Sequence, residues 1–375
     1  MKHFKIISLL SIIFAFSAAQ AETKVNGEFW GNFQYNLDNG QISGATADDQ
    51  TNPMGFDVAR ARVLVNHSFN DMWSATLGLK GDTLAAVALN RAFITGKDWL
   101  AEGHTMHFGL QKNAYERNWD SSHQSWIHRS LTKEFSSNVL SAINTMDSGG
   151  TAAAASAGDY AGLNYNIMFN DMWSLELSIN NGGLTEVDND GAAAAQANSD
   201  AFGYGLTVNG KLNDNMSLTF AYDNADDYVA NAKDGADTNT AGYTITRLGF
   251  DYTSDMIDAG LEYAMWAANH SDGNTGAEME DLAGLAIHVD YKYAEGSGVY
   301  FYYAMLDGFD DIDDSSTTTA EDFGIEASYK LGHYWAIDSN VNTGIFYEAT
   351  TRDAAGATTN DKDESNIMWR WAANF

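Results

Sequence analysis

The last nine residues of the chain alternate between an apolar and a mixed face, which restricts the end of the chain to a β-strand. Trp369, Trp371 and Phe375 share the apolar face, while Arg370 and Asn374 lie on the other. Successive side chains of a strand point to opposite sides, so the two faces meet different surroundings. Because no residue follows Phe375 in the sequence, we expect the apolar face to be covered by another part of the chain or by lipid.

The same period of two recurs along most of the chain. It is clear in residues 25–37, 56–69 and 285–293, where apolar and polar side chains alternate. Beyond residue 21 there is no apolar run of about 18 residues, which excludes helices that cross a membrane. In lipid, a sheet must close on itself, because an open edge would leave backbone groups unpaired. The predicted fold class is therefore all-β, a transmembrane antiparallel β-barrel.

The first residues have the pattern of a cleaved signal peptide. Lys2 and Lys5 precede an apolar run over residues 6–16, and Ala19-Gln20-Ala21 has the small-x-small pattern of a cleavage site. We expect residues 1–21 to be removed and residues 22–375 to form one exported barrel domain. The chain has no cysteine, so we expect no disulfides to staple this domain.

Two kinds of connection separate the predicted strands. Short ones carry Asn-Asp, and Phe69-Asn-Asp-Met-Trp-Ser74 recurs as Phe169-Asn-Asp-Met-Trp-Ser174. We expect two-residue hairpin turns there, because Asn and Asp tolerate positive φ. The others are long, polar and acidic, and comprise residues 38–55, 182–200, 224–241, 267–280, 308–318 and 349–363. Short periplasmic turns and long extracellular loops are typical of bacterial outer-membrane barrels.

Alternation of strands between the Asn-Asp turns predicts about sixteen strands, of which the last three cover residues 319–331, 334–348 and 364–375. Residues 116–159 then form one long third loop. A barrel of this size is too wide for side chains to fill, and the predicted inner faces are rich in polar residues. We therefore expect the third loop to fold into a water-filled lumen and narrow it.

Charged residues are unevenly distributed. The formal net charge of −31 excludes nucleic acid as a partner, yet nine basic residues lie between Arg60 and Lys133. We predict a pore constriction whose wall residues are Arg60, Arg62, Lys80 and Arg91. Its predicted loop residues are Glu116, Arg117, Trp119, Asp120, Trp126 and Arg129. These charges would sort solutes by charge and dipole, or hold the loop to the wall as ion pairs. The two tryptophans would stack on sugar rings or aromatic solutes, or pack the loop against the wall.

The sequence carries no motif of a catalytic or cofactor site. It lacks Gly-x-Ser-x-Gly, His-Glu-x-x-His and a glycine-rich phosphate loop, so we predict a protein that is not an enzyme and needs no cofactor. The histidine pairs at 104/107 and 123/128 lack supporting carboxylates, and we predict no metal site. The acidic runs 186–190 and 310–314 indicate solvated loops, with a divalent cation held between them and lipid head groups as the alternative.

Five short segments of the chain form a further pattern. They are Val25-Asn-Gly-Glu-Phe29, Phe56-Asp-Val-Ala-Arg-Ala-Arg-Val63, Arg91-Ala-Phe-Ile94, Phe108-Gly-Leu-Gln111 and Ser125-Trp-Ile-His-Arg-Ser130. Together they resemble the phosphate-selective porin O/P-type family of Gram-negative bacteria. The terminal strand with Trp369, Trp371 and Phe375 resembles the signal that outer-membrane proteins present to the barrel assembly machinery.

The resemblance implies a barrel of the cell outer membrane, in contact with lipid and lipopolysaccharide and usually a homotrimer, through which ions and small hydrophilic solutes diffuse passively. Its anion-selective members rely on pore lysines, whereas this chain has few lysines and a large negative charge. We therefore predict a weak cation preference or none, because acidic loops at the mouth concentrate cations. The alternatives are a solute-specific channel, an anion- or phosphate-selective channel and, from another class, a binding or adhesion barrel.

Overall fold

A computed structural model of the chain describes residues 22–37, 54–83, 86–122, 126–127, 130–135, 159–180, 203–229, 240–270, 282–307, 325–352 and 364–375. Within these residues, sixteen antiparallel strands form one closed barrel, and the last strand pairs with the first. The predicted transmembrane β-barrel is therefore confirmed. None of the helices in the described part is long and apolar enough to cross a membrane.

The strands are β1 (Glu22–Asn36), β2 (Met54–Ser68), β3 (Trp73–Thr83), β4 (Ala86–Lys97), β5 (His104–Lys112), β6 (Asp159–Met168), β7 (Trp173–Asn180), β8 (Gly203–Asn213), β9 (Met216–Val229), β10 (Thr240–Thr253), β11 (Ile257–His270), β12 (Leu282–Ala294), β13 (Ser297–Asp307), β14 (Ile325–Asp338), β15 (Val341–Arg352) and β16 (Glu364–Asn374). Two helices, α1 (Ala114–Ser122) and α2 (Leu131–Glu134), lie between β5 and β6.

Alternation in the sequence becomes alternation of exposure across the barrel wall. On β12, Ile287 and Val289 are each 38% exposed on the outer face, whereas His288 and Asp290 are buried on the inner face. Large apolar side chains stay exposed in this way on every side of the barrel. Water-soluble monomers do not leave so wide an apolar belt open, whereas a lipid bilayer covers it.

The closing seam between β16 and β1 places the terminal strand of the sequence. Gly31 pairs with Trp371, and Phe33 pairs with Trp369. The main chains of Gly27 and Phe375 exchange two hydrogen bonds, of 2.6 and 2.9 Å. Trp369 packs against Trp371 and still stays 44% exposed on the outer face. We expected either another part of the chain or lipid to cover this apolar face, and the exposed outer face of the barrel fits lipid.

The expected two-residue turns with positive φ are wrong for the two Asn-Asp repeats. In the described part of the chain, Asp98 is the one non-glycine residue with positive φ. Instead, Asn70 Oδ1 accepts hydrogen bonds from the main-chain N–H groups of Met72 (2.9 Å) and Trp73 (2.8 Å), and Asn170 does the same one repeat later. Because the side chain closes a wider turn, a left-handed backbone is not needed.

The predicted boundary between the strands 319–331 and 334–348 is also wrong. β14 continues to Asp338, and the turn consists of Ser339 and Asn340. Asp338 Oδ1 accepts hydrogen bonds from Ser339 Oγ at 2.9 Å and from the Asn340 N–H at 3.4 Å. Gly332, at the predicted boundary, lies inside β14, where the Phe346 ring occupies the space that a Cβ would need.

Other predictions fall on residues that the structure does not describe. Residues 1–21 lie there, as do most of the six long acidic connections and residues 136–158 of the third loop. The signal peptide and the domain limits therefore stay predictions.

Candidate functional site

The chain leaves β5 and turns over the inner face of the barrel. Asn113 begins α1 as its N-cap, since its Oδ1 accepts the Glu116 N–H at 2.8 Å and its carbonyl oxygen accepts the Arg117 N–H at 3.0 Å. We call the described residues 113–122, 126–127 and 130–135 the inner segment. Hydrogen bonds and ion pairs attach it to inner-face residues of β7, β11, β14 and β16, and it also packs against neighbouring strands.

Glu116 joins the two helices of the inner segment. Ser130 Oγ donates to both Glu116 carboxylate oxygens at 2.7 Å, and Thr132 Oγ1 donates to one of them at 2.7 Å. Glu116 is only 1% exposed. The Glu116 carboxylate therefore links α1 to the beginning of α2 within the segment.

Glu262 on β11 holds both helices. Its Oε2 accepts a hydrogen bond from Tyr115 Oη at 2.8 Å and another from the Leu131 N–H at 3.2 Å. Burial and the neighbouring Glu262 carboxylate raise the pKa of Tyr115 well above its usual range. The Tyr115 hydroxyl therefore stays protonated and remains a donor to Glu262.

Two ion pairs attach the ends of the inner segment to the wall. Arg117 in α1 pairs with Glu176 on β7. Glu134 in α2 pairs with Lys330 on β14 at 2.9 Å. These groups are largely withdrawn from water, so each pair is screened less than a surface ion pair.

Arg370 on β16 holds the middle of the inner segment. Its Nη1 donates to the carbonyl oxygens of Trp126 (2.9 Å) and Ile127 (3.2 Å). Its Nε donates to Asn32 Oδ1 on β1 at 2.9 Å, and Glu348 on β15 lies 3.5 Å away. One side chain thus connects three neighbouring strands to the inner segment.

Apolar side chains of the inner segment pack against β11–β16, whose inner faces carry large apolar and aromatic side chains beside the expected polar ones. Trp126 contacts the rings of Tyr334 and Phe346 edge-on, each with a centroid separation of 5.9 Å. Ile127 and Leu131 are each 1% exposed. The same cluster contains Phe135, Trp266, Leu282, Tyr300, Tyr302, Leu306 and Met368. A period of two assigns a side chain to the inner face but does not tell whether water or a packed segment lies there.

Basic residues lie together on the inner face of β2–β4. The Arg60 guanidinium lies over the Trp30 ring, 3.8 Å from its centroid. Glu28 Oε1 lies 3.5 Å from Arg60 and 3.0 Å from Arg62. Lys80 on β3 lies directly opposite Arg62 on β2 in the strand register. We call Arg60, Arg62, Lys80 and Arg91 the basic wall.

A β-bulge places Arg91 within the basic wall. By strict alternation Arg91 would share a face with Leu89, which is 50% exposed on the outer surface. The register shifts between them: Arg91 pairs with Gly78, whereas Leu89 pairs with Leu79. Asn90 is the extra residue, and it returns Arg91 to the inner face.

Carboxylates are concentrated on the inner face of the opposite side, from β7 to β12. They are Glu176, Asp223, Asp251, Asp258, Glu262 and Asp290. Asp223 pairs with Arg247, and Asp258 lies 3.8 Å from Lys292. In a ring of sixteen strands, β10–β12 lie about opposite β2–β4. A basic wall facing carboxylates can create an electric field across the lumen.

The predicted site residues occupy two regions. The basic wall forms one, while Glu116, Arg117, Trp119 and Trp126 belong to the inner segment. Trp119 packs with Tyr115 against Ala221 on β9. The side chain of Asp120 and the whole of Arg129 lie outside the described residues. Apart from Arg117, the residues that attach the segment to the wall are not among the predicted site residues. They are Tyr115, Glu134, Glu176, Glu262, Lys330 and Arg370. For Arg370, alternation predicts only that its side chain points toward the lumen.

No protein-family model matches the sequence, and no curated protein matches it. Solved structures do match. The anion-selective porin from Comamonas acidovorans is similar with a TM-score of 0.67 and 10% identity, over 95% of this chain and 100% of that chain. The outer membrane channel DcaP of Acinetobacter baumannii gives 0.61 and 12%, over 96% and 99%. The trimer form of OmpT from Vibrio cholerae gives 0.57 and 11%, over 95% and 100%. At these identities the likeness concerns the fold, and the chain therefore has the barrel fold of the porins.

Proposed function

We propose that the protein is an outer-membrane porin, a water-filled channel for passive diffusion of ions and small hydrophilic solutes. The observation that carries this proposal is a closed sixteen-stranded barrel whose lumen holds a segment attached to its inner wall. Barrels of this size leave an aqueous channel, which an inward segment narrows without closing. No reaction and no cofactor are part of the proposal.

The constriction is proposed to lie between the inner segment and the basic wall. Support comes from the attachments of the segment, which are on β7, β11, β14 and β16. None of these attachments is on β2–β4, where Arg60, Arg62, Lys80 and Arg91 lie. A permeating solute would pass the basic wall on one side and α1 on the other.

Two opposing charge distributions lead us to propose a weak cation preference or none. The long connections are acidic and would concentrate cations at the mouth, consistent with the net charge of −31. The basic wall would favour anions at the narrowest point. The two effects offset each other.

The basic wall also supports a second candidate, an anion-selective channel related to the phosphate-selective type. Arg60 and Arg62 lie 3.5 and 3.0 Å from the Glu28 carboxylate, and Lys80 on the next strand lies opposite Arg62. One structure with a similar fold is an anion-selective porin. The sign of the ion selectivity distinguishes the two candidates.

The partners that we propose follow from the outer surface. A belt of exposed apolar side chains suits outer-membrane lipid and lipopolysaccharide. Trp369, Trp371 and Phe375 would serve as the signal for the barrel assembly machinery after export by the signal peptide 1–21. A homotrimer is proposed because one similar structure is a trimer form.

Liposome swelling tests the proposed function. Vesicles that contain the purified protein should swell in neutral solutes at rates that fall with solute size. A binding or adhesion barrel without an open lumen would give no swelling above empty vesicles.

A further inference from the structure

One rim of the barrel carries the short turns, such as the β6–β7 turn, and we call it the short-turn rim. A cavity of about 370 Å³ lies inside the barrel between α1 and the turns of this rim. Tyr115, Asn118 and Trp119 of α1 line one side, and residues 170–173 of the β6–β7 turn line another. The volume is within the range of sites for small molecules. The proposed constriction involves the basic wall and does not account for this cavity.

The cavity wall is rich in neutral hydrogen-bonding groups. They include the side chains of Asn166, Asn209, Ser217 and Thr219. Thr219 Oγ1 donates to Asn209 Oδ1 at 3.1 Å. Because that oxygen is engaged, the Nδ2 group of Asn209 is the part of this amide suited to donate to a ligand.

Space in the cavity depends partly on Gly249. A Cβ at this position would lie 3.4 Å from Tyr115 Oη. The absence of a side chain leaves room below the aromatic rings of α1. The cavity thus combines aromatic rings on one side with amides and hydroxyls on the other.

The charges around the cavity disfavour anions. Among the described residues that line it, Asp171, Asp251 and Glu262 are acidic and Lys211 is basic. An excess of carboxylates repels anionic ligands but accepts hydrogen bonds from hydroxyl groups. Sugars offer adjacent hydroxyls that both donate and accept, together with C–H faces that pack on aromatic rings.

We propose that this cavity binds an uncharged polyhydroxylated solute of the size of a mono- or disaccharide. The proposal rests on the proposed channel function, because the lumen is the route to the cavity. A solute that enters from the short-turn rim meets the cavity before α1. Binding there would enrich such solutes next to the constriction.

The test measures sugar binding and channel conduction separately. Calorimetric titration of the purified protein in detergent with glucose, maltose and gluconate measures binding, and planar bilayers with the same solutes measure current block. Glucose or maltose should bind, should block current more strongly from the short-turn side, and should be preferred to gluconate.

A pair of matched variants locates the effect. Asn209→Ala should weaken sugar binding by about 2- to 10-fold, as expected for one lost hydrogen bond. The control is Asn66→Ala on β2, where Thr76 Oγ1 donates to Asn66 Oδ1 at 2.8 Å in an equivalent pair outside the cavity. Asn66→Ala should bind as the wild type does.

The outcomes separate this proposal from the proposed function. A channel that conducts but gives no heat of binding with either sugar overturns the cavity proposal and leaves the channel. Tighter binding of gluconate, or equal effects of the two variants, also overturns it. A protein that binds sugar but does not conduct supports the cavity and contradicts the channel.

Discussion

The guanidinium of Arg370 donates a hydrogen bond to the main-chain carbonyl oxygen of Trp126, 2.9 Å away. The same group reaches Ile127 and Asn32, so the strand that closes the barrel also holds the inner segment. Docking of this segment is therefore coupled to closure of β16 against β1. A carbonyl oxygen that loses its donor in such a place costs about 1–3 kcal/mol.

Arg370→Ala should release the middle of the inner segment. We expect single-channel currents with more noise and a lower denaturation midpoint, because the carbonyl oxygens of Trp126 and Ile127 lose their donor. Arg370→Lys keeps the charge near Glu348 but cannot form the forked hydrogen bonds, so it should be intermediate. Wild-type noise in Arg370→Ala would contradict this role.

Tyr115→Phe tests the attachment to Glu262 through its dependence on pH. The raised pKa of Tyr115 means that the folded protein keeps a proton that the unfolded chain loses above a pH of about 10. The stability from Tyr115 is therefore present below that pH and lost as the pH rises. Tyr115→Phe should be less stable than the wild type at pH 8, by about 1–2 kcal/mol.

The difference between the two proteins should become smaller at pH 11. Urea denaturation of both proteins at the two pH values measures it. A constant difference would show that the hydroxyl of Tyr115 does not couple to folding in this way.

Arg60→Gln and Arg62→Gln should shift ion selectivity toward cations. A unit charge about 7 Å from an ion in water contributes about 0.6 kcal/mol, roughly a threefold change in ion population. Reversal potentials of the variants measure the permeability ratio. Lys97→Gln at the short-turn rim removes the same charge away from the basic wall and is the control. Equal shifts in all three variants would exclude a special role for the wall.

Gly27→Ala should disturb the closing seam. A Cβ on Gly27 would overlap the Phe375 ring, which lies against this glycine. We expect slower folding into detergent or lipid and a destabilisation of about 1–3 kcal/mol, as for overpacking. Gly55→Ala is the matched control, because no atom lies within 4 Å of the added Cβ. Folding of Gly27→Ala at the rate of Gly55→Ala would argue against a role for this contact.

The sequence predicts the strands well because the membrane imposes a period of two on both faces of the wall. The prediction from the period of two is incomplete where a local side-chain hydrogen bond or a β-bulge sets the backbone. The side chain of Asn70 closes a turn without positive φ. Arg91 lies in the basic wall as predicted, but the bulge at Asn90 that puts it there is not visible in the alternation. The side chain of Asp338 closes a turn that lies beyond the predicted boundary between the strands 319–331 and 334–348.

The attachments of the inner segment cannot be predicted from alternation either, for a different physical reason. Arg370 and Trp126 are separated by 244 positions, and Tyr115 and Glu262 by 147. Each is an ordinary polar or aromatic residue in its own strand or helix. Only closure of the barrel brings the partners together, so no local pattern contains the contact.

The reversal potential of the purified protein in a planar bilayer under a KCl gradient tests the central claim most directly. We predict stepwise, ohmic conductance and a small reversal potential on the cation-selective side or near zero. Clear anion selectivity would contradict the proposed charge balance and favour the anion-selective candidate. Absence of conductance steps would contradict the channel itself.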